Sequence, residues 1–231
     1  MASTSTTGRS RKPQALDAED AMAMRAAELA AWAQRNIRTV IIAAGVVLVL
    51  LLVFFATRLT SQRRAERAAA QWLQVQDAAQ QGTAGVPRLA SFANSFDGTP
   101  ESAEARLAVA SIYLDQNQPQ NAIPEARRVA DAGGPMSFQG WMLLGAAQAR
   151  ANQRDAAIQT YLKAADETEL VFQQQEARSE AALLNEEAGK WTAAAQIYAT
   201  MLADTEEGTM DRSVVELRKA EAESRAAGAR R

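Results

Sequence analysis

The sequence predicts an all-α protein: one N-terminal transmembrane helix, continuous with a solenoid of three to four helix pairs and closed by a C-terminal capping helix. Three observations carry this. An uncharged run of nineteen residues stretches from Thr39 to Thr57. The rest is rich in alanine and sparse in aromatics, the composition of closely packed helices. Glycine, proline and asparagine fall at regular intervals between Ala-rich stretches, a helix-turn-helix rhythm.

Residues 1–15 are rich in serine and threonine and carry Arg9, Arg11 and Lys12. They read as a disordered basic tail. Residues 16–38 read as a juxtamembrane helix, acidic at its start (Asp17, Glu19, Asp20) and free of breakers. Met22, Met24, Leu29 and Trp32 would let it lie on a membrane surface. A plain solvated lead-in to the span fits it equally well.

Thr39 to Thr57 is bracketed by Arg38 and Arg58. At helical rise it covers roughly 28 Å, close to the hydrocarbon thickness of a bilayer. The long region before it and the lack of a small-x-small cleavage pattern after it point to an uncleaved signal anchor. Charge does not orient it: Arg25, Arg35 and Arg38 stand on one side, Arg58, Arg63, Arg64 and Arg67 on the other. Gly45 has no GxxxG companion, so the span carries no helix-dimer motif.

Residues 58–230 form the repeat region. Neither glycine nor proline occurs between Arg58 and Gly82, so the span is expected to continue as one rod. Breakers then fall at Gly82, Gly85 and Pro87, at Gly98 and Pro100, at Asn117 and Pro119, at Gly133 to Pro135, and at Asn152, Gly189 and Gly208. The clearest unit starts at Phe138, with Trp141, Leu144, Gly145, Ala157, Tyr161 and Ala164. Bulk falls on one helix, and small residues fall where two helices cross. This spacing resembles the tetratricopeptide repeat, from which it departs at Gln148 and Glu169. Further units start 35 residues earlier at Ala103 (Ala110, Tyr113, Ala122, Ala126) and 37 residues later at Gln175 (Ala182, Gly189, Ala194, Tyr198). A degenerate unit starts at Ala69, with Trp72 and Pro100. Met210 to Ala226, with Val214, Val215 and Leu217, reads as an amphipathic cap.

Tail, span, stalk and divergent repeats together resemble a bacterial family of inner-membrane proteins. The likeness is visible in the span, in Arg88 to Asn94 (RLASFAN) and in Ala103 to Tyr113. Members of that family include the ancillary subunit of the Sec translocon, which works among periplasmic chaperones. The resemblance implies a periplasmic repeat domain in the plasma (inner) membrane. It also implies partners among translocon subunits, periplasmic chaperones or exported clients. Two other roles fit the same architecture: a structural accessory subunit of another membrane complex, and a cytoplasm-facing scaffold with the span reversed.

Composition excludes much else. The chain has no histidine and no cysteine. That removes Ser-His-Asp and Cys-His nucleophiles, His/Cys metal ligation and a lipidated N-terminal cysteine. No enzyme, cofactor or small-molecule substrate is expected. Residues 1–57 carry +2 and residues 58–231 carry −4, with no concentrated basic face for nucleic acid. In tetratricopeptide units the inner faces of the first helices form a concave groove. Those positions map here onto Leu107, Ser111, Leu114 and Asp115, then Met142, Ala146 and Arg150, then Leu183, Glu186 and Glu187. A mixed apolar and acidic groove suits a polypeptide segment held by apolar contacts, with charge setting its register.

Overall fold

A computed structural model describes residues 25, 32, 34–204 and 210–229. The predicted tail over 1–15 and most of the predicted juxtamembrane helix over 16–38 lie outside the described residues. Every regular element among the described residues is helical. The chain divides into two units between Thr60 and Ser61.

Helix α1 runs from Ile37 to Val75. In the first unit it carries the apolar run, whose mean hydropathy over eighteen residues is 3.1, and none of that window is buried by the protein. The helix is long and apolar enough to cross a membrane, and its valines, leucines and phenylalanines are exposed, not packed in a core. Each large apolar side chain left in water forgoes about 1.5–3 kcal/mol of burial, so such a helix needs an apolar surrounding.

Among its described residues the second unit contains the end of α1, a 3-10 segment over Gln76–Gly85, and eight further helices. These are α2 (Val86–Ser95), α3 (Pro100–Asp115), α4 (Pro119–Ala132) and α5 (Ser137–Arg150). Then follow α6 (Arg154–Asp166), α7 (Val171–Glu187), α8 (Trp191–Ala203) and α9 (Met210–Gly228). From α2 onward each helix packs chiefly on its neighbours in sequence, and α3, α5 and α7 also touch in order. Prolines stand in the first turn of α2, α3 and α4, where their missing N–H costs nothing, and Thr99 also caps α3 by accepting the Ser102 amide at 3.2 Å.

The turns inside the pairs α3/α4, α5/α6 and α7/α8 are built alike. Asn117, Asn152 and Gly189 sit at φ of 55°, 59° and 69°. Each preceding helix closes with the same two bonds. Asn117 donates to the Leu114 carbonyl and Gln118 to that of Tyr113. Asn152 and Gln153 do so to Ala149 and Gln148, and Gly189 and Lys190 to Glu186 and Asn185. This is the Schellman arrangement, which needs a left-handed residue, so only asparagine or glycine serves cheaply. The turns recur at the 35- and 37-residue spacing read from the sequence.

The spaces between helices are closed by small residues at matching places. Ala110, Gly145 and Ala182 are buried on the first helix of each pair, and Ala122, Ala157 and Ala194 on the second. At Gly145 the reason is a ring: a Cβ there would come within 2.7 Å of Tyr161. Behind these contacts lie clusters around Leu89 and Val109, around Trp141 and Leu144, and around Tyr198 and Met201. The end of α1 joins the first cluster through Ala68 and Trp72, whose ring lies 5.4 Å from that of Phe92. On α9, Ala222 and Val215 face the domain, while Val214 and Leu217 are exposed. The predicted apolar trio is therefore split by helix geometry, since residues 214, 215 and 217 cannot share one narrow face.

Candidate functional site

Because α3, α5 and α7 touch in order, their free faces line a common trough of about 720 Å³. Leu107 and Ser111 come from α3. Phe138, Met142, Leu143 and Ala146 come from α5, and Tyr161 of α6 shows at the floor. The wall on α7 is Phe172, Glu176 and Glu180, four residues apart and so on one helical face. Gln139 and Gln173 complete the polar part of the lining.

The trough is an open surface and not a closed cavity. Phe172 is 66% exposed, next to exposed Leu170 and Val171 at the start of α7. A small ligand would keep much of its surface wet there, whereas pockets for small molecules bury most of the ligand. Among the described residues no group of three or more Asp or Glu is placed to hold a metal ion. A second recess between α8 and α9, about 340 Å³, is lined by Thr192, Ala195, Ala199, Lys219 and Glu223 among others. It has half the volume and no large apolar side chain.

The charge of the trough is one-sided. Burial raises the Glu180 carboxyl above its ordinary range, and the charges of Glu176 and Glu187 raise it further. Burial also pushes the Tyr161 phenol up, reinforced by Glu180 and opposed by Arg150. Basic side chains nearby are engaged elsewhere. Arg178 holds Asp204 at 2.6 Å, and Lys163 stacks over Trp141 at 4.0 Å from the ring centre. Arg150 donates to the Leu114 carbonyl at 3.1 Å.

Of the groove residues read from the sequence, the structure brings Leu107, Ser111, Met142 and Ala146 into the trough lining. Leu183 and Glu187 lie on the same face of α7 as Glu176 and Glu180, beyond the lining. Leu114 is buried in the core with Trp141, and Asp115 ends α3, exposed. Arg150 joins the end of α5 to α3 as described. Glu186 accepts from the Tyr198 hydroxyl at 3.0 Å and pairs with Arg218 at 3.5 Å, so it ties α7 to α8 and α9.

Sequence reasoning missed Phe138, Leu143, Phe172, Glu176 and Glu180. The 4-residue spacing of 172, 176 and 180 was available as a signal. It was hidden because the third unit was started at Gln175, whereas α7 begins at Val171. No glycine or proline marks that boundary. Thr168 makes it, its hydroxyl donating to Gln173 at 2.6 Å and accepting the Leu170 amide at 3.2 Å.

The chain matches no protein-family profile, no curated protein and no solved structure.

Proposed function

We propose that this chain is a membrane-anchored protein-interaction module whose tetratricopeptide-like repeats hold a polypeptide segment in the trough. The observation that carries the reading is the convergence of Leu107, Ser111, Met142 and Ala146 on one open apolar surface. These residues come from two different helix pairs and were singled out by repeat position alone. Matching turns at Asn117, Asn152 and Gly189 support a repeat architecture. The exposed apolar length of α1 supports a single-pass anchor.

The family resemblance adds the setting: an ancillary, chaperone-like subunit at protein export or periplasmic folding, with the repeats outside the inner membrane. A cytoplasm-facing scaffold is the second reading, favoured by Arg58, Arg63, Arg64 and Arg67 after the span. Photo-crosslinking residues at Leu107 and Met142 in cells test both. Capture of translocon subunits, periplasmic chaperones or emerging secreted chains supports the export role and fixes the orientation. Capture of one stoichiometric membrane subunit favours the accessory-subunit role, and cytoplasmic proteins alone reverse the topology. No crosslink at either position removes the trough from the function.

A further inference from the structure

We infer that the occupant of the trough is a cationic amphipathic segment, with large apolar side chains on one face and lysine or arginine beside them. This rests on the reading of the trough as a polypeptide site and says what kind of polypeptide it takes. Charge complementarity carries it.

Among the described residues, the only carboxylic or basic side chains that line the trough are Glu176 and Glu180, one helical turn apart on α7. Glu187 lies further along the same face and is close enough to disfavour ionisation of Glu180. None of the three has an ion-pair partner among the described residues. Neighbouring Arg178 is turned to Asp204 on the other side of the helix.

Three like charges along one face repel one another, and Glu180 is also partly desolvated. The free protein bears that repulsion, and a cation laid along α7 would relieve it. An anionic occupant would add to it, and a neutral one would leave it. Beside the carboxylates, Phe138, Met142 and Phe172 offer an apolar strip. A methionine and two aromatics can adjust to varied side chains, so the apolar part selects weakly while the charge selects sign. A helix with leucines on one stripe and lysines at the next positions presents the complementary surface.

The test uses the full chain in nanodiscs of zwitterionic phosphatidylcholine, with empty nanodiscs as the control for peptide adsorbed to lipid. The probe is a helix-forming peptide of ~18 residues, with leucines on one face and lysines at i and i+4 beside them. A second peptide carries glutamate in place of each lysine. The lysine peptide is expected to bind and to crosslink at Met142, with affinity falling as salt rises. The glutamate peptide is expected not to bind. In the double variant Glu176→Gln/Glu180→Gln, affinity for the lysine peptide should fall about tenfold or more and its salt dependence should flatten. That variant removes repulsion, so its melting temperature should not fall. Equal binding of both peptides at Met142 overturns the cationic occupant and leaves the trough as a polypeptide site. So does failure of both peptides while Met142 still captures a defined protein in cells. Failure of both peptides together with no cellular crosslink from Met142 or Leu107 removes the polypeptide site as well.

Discussion

Two charged constellations in the second unit, residues 61–231, are built on opposite terms. At the start of that unit Arg106 is almost buried, its side chain 6% exposed, and three side chains offer it acceptors. It donates to Glu125 at 2.8 Å and to Asn94 and Asp97 at 3.1 Å each. One cation thus ties α2, the following loop, α3 and α4 together. On α7 the charges have the reverse arrangement: Glu176, Glu180 and Glu187 share a face and have no cation among them. The first constellation is complete within the chain and reads as structure. The second is unfavourable within the chain, and the proposed cationic occupant would relieve it. If that proposal holds, ionic groups that tie the fold and ionic groups that serve a partner differ in whether their charge is balanced within the chain.

That contrast can be broken by substitution, and a large effect is expected at Arg106. Arg106→Met should cost about 3 kcal/mol, because it leaves the mostly buried Glu125 carboxylate with only the longer contact to Arg128 at 3.8 Å, while exposed Asp97 contributes little. Urea unfolding measures it, and a loss under 1 kcal/mol would end the description of Arg106 as a structural tie. Next, the front and back of α5 should differ. Leu144→Ala, behind the trough in the core, should cost about 2–5 kcal/mol. Met142→Ala, on the trough, should cost clearly less in stability while weakening capture of a bound segment. Equal stability losses would mean that the trough face is core.

Gly145→Ala should cost about 1–3 kcal/mol, since the new methyl meets the Tyr161 ring and the ring has to shift. Because Tyr161 also floors the trough, crosslinking from Met142 should change in the same variant. A Gly145→Ala protein with unchanged melting would show that the ring moves freely.

The smallest stability effect is the sharpest test of the acidic face. The Glu180 carboxyl is raised in the folded chain by burial and by Glu176 and Glu187. A raised carboxyl favours folding below the ordinary glutamate range and loses that advantage as pH climbs through the raised value. Glu180→Gln should therefore be more stable than the parent at pH 7, by less than ~1 kcal/mol given its partial exposure. The gain should vanish near pH 3, well below the ordinary glutamate value, where the carboxyl is protonated in both the folded and the unfolded chain. Denaturant melts of both proteins at the two pH values decide it. A destabilised Glu180→Gln at pH 7 would mean that a favourable interaction of the carboxylate had been lost.

Much of the fold was legible because the signals are local. The left-handed turns must be asparagine or glycine, so Asn117, Asn152 and Gly189 announced themselves, and their spacing revealed the pairs. Gly145 and the buried alanines were readable for a similar reason: close helix crossings admit few residue types. The start of α7 was not legible, since Thr168 makes the turn through side-chain bonds that no breaker residue advertises. The α7 wall of the trough was lost with that boundary. Leu114 and Glu186 were placed at groove positions by repeat counting. A shift of one position on a helix turns a side chain by about 100°, and such a shift separates Ser111 in the trough from Ile112 in the core.

By itself, then, the sequence determined what depends on composition, period and neighbours along the chain: helices throughout, an apolar segment long enough to cross a bilayer, paired units at 35 and 37 residues, and no histidine or cysteine chemistry. Only the tertiary structure decided which charges are balanced. Arg106 and Glu125 are nineteen residues apart, Arg178 and Asp204 twenty-six, and nothing local brings them together. Whether Glu180 stands with a cation or among other carboxylates is a property of three helices packed side by side. The sign of the trough was therefore set by packing.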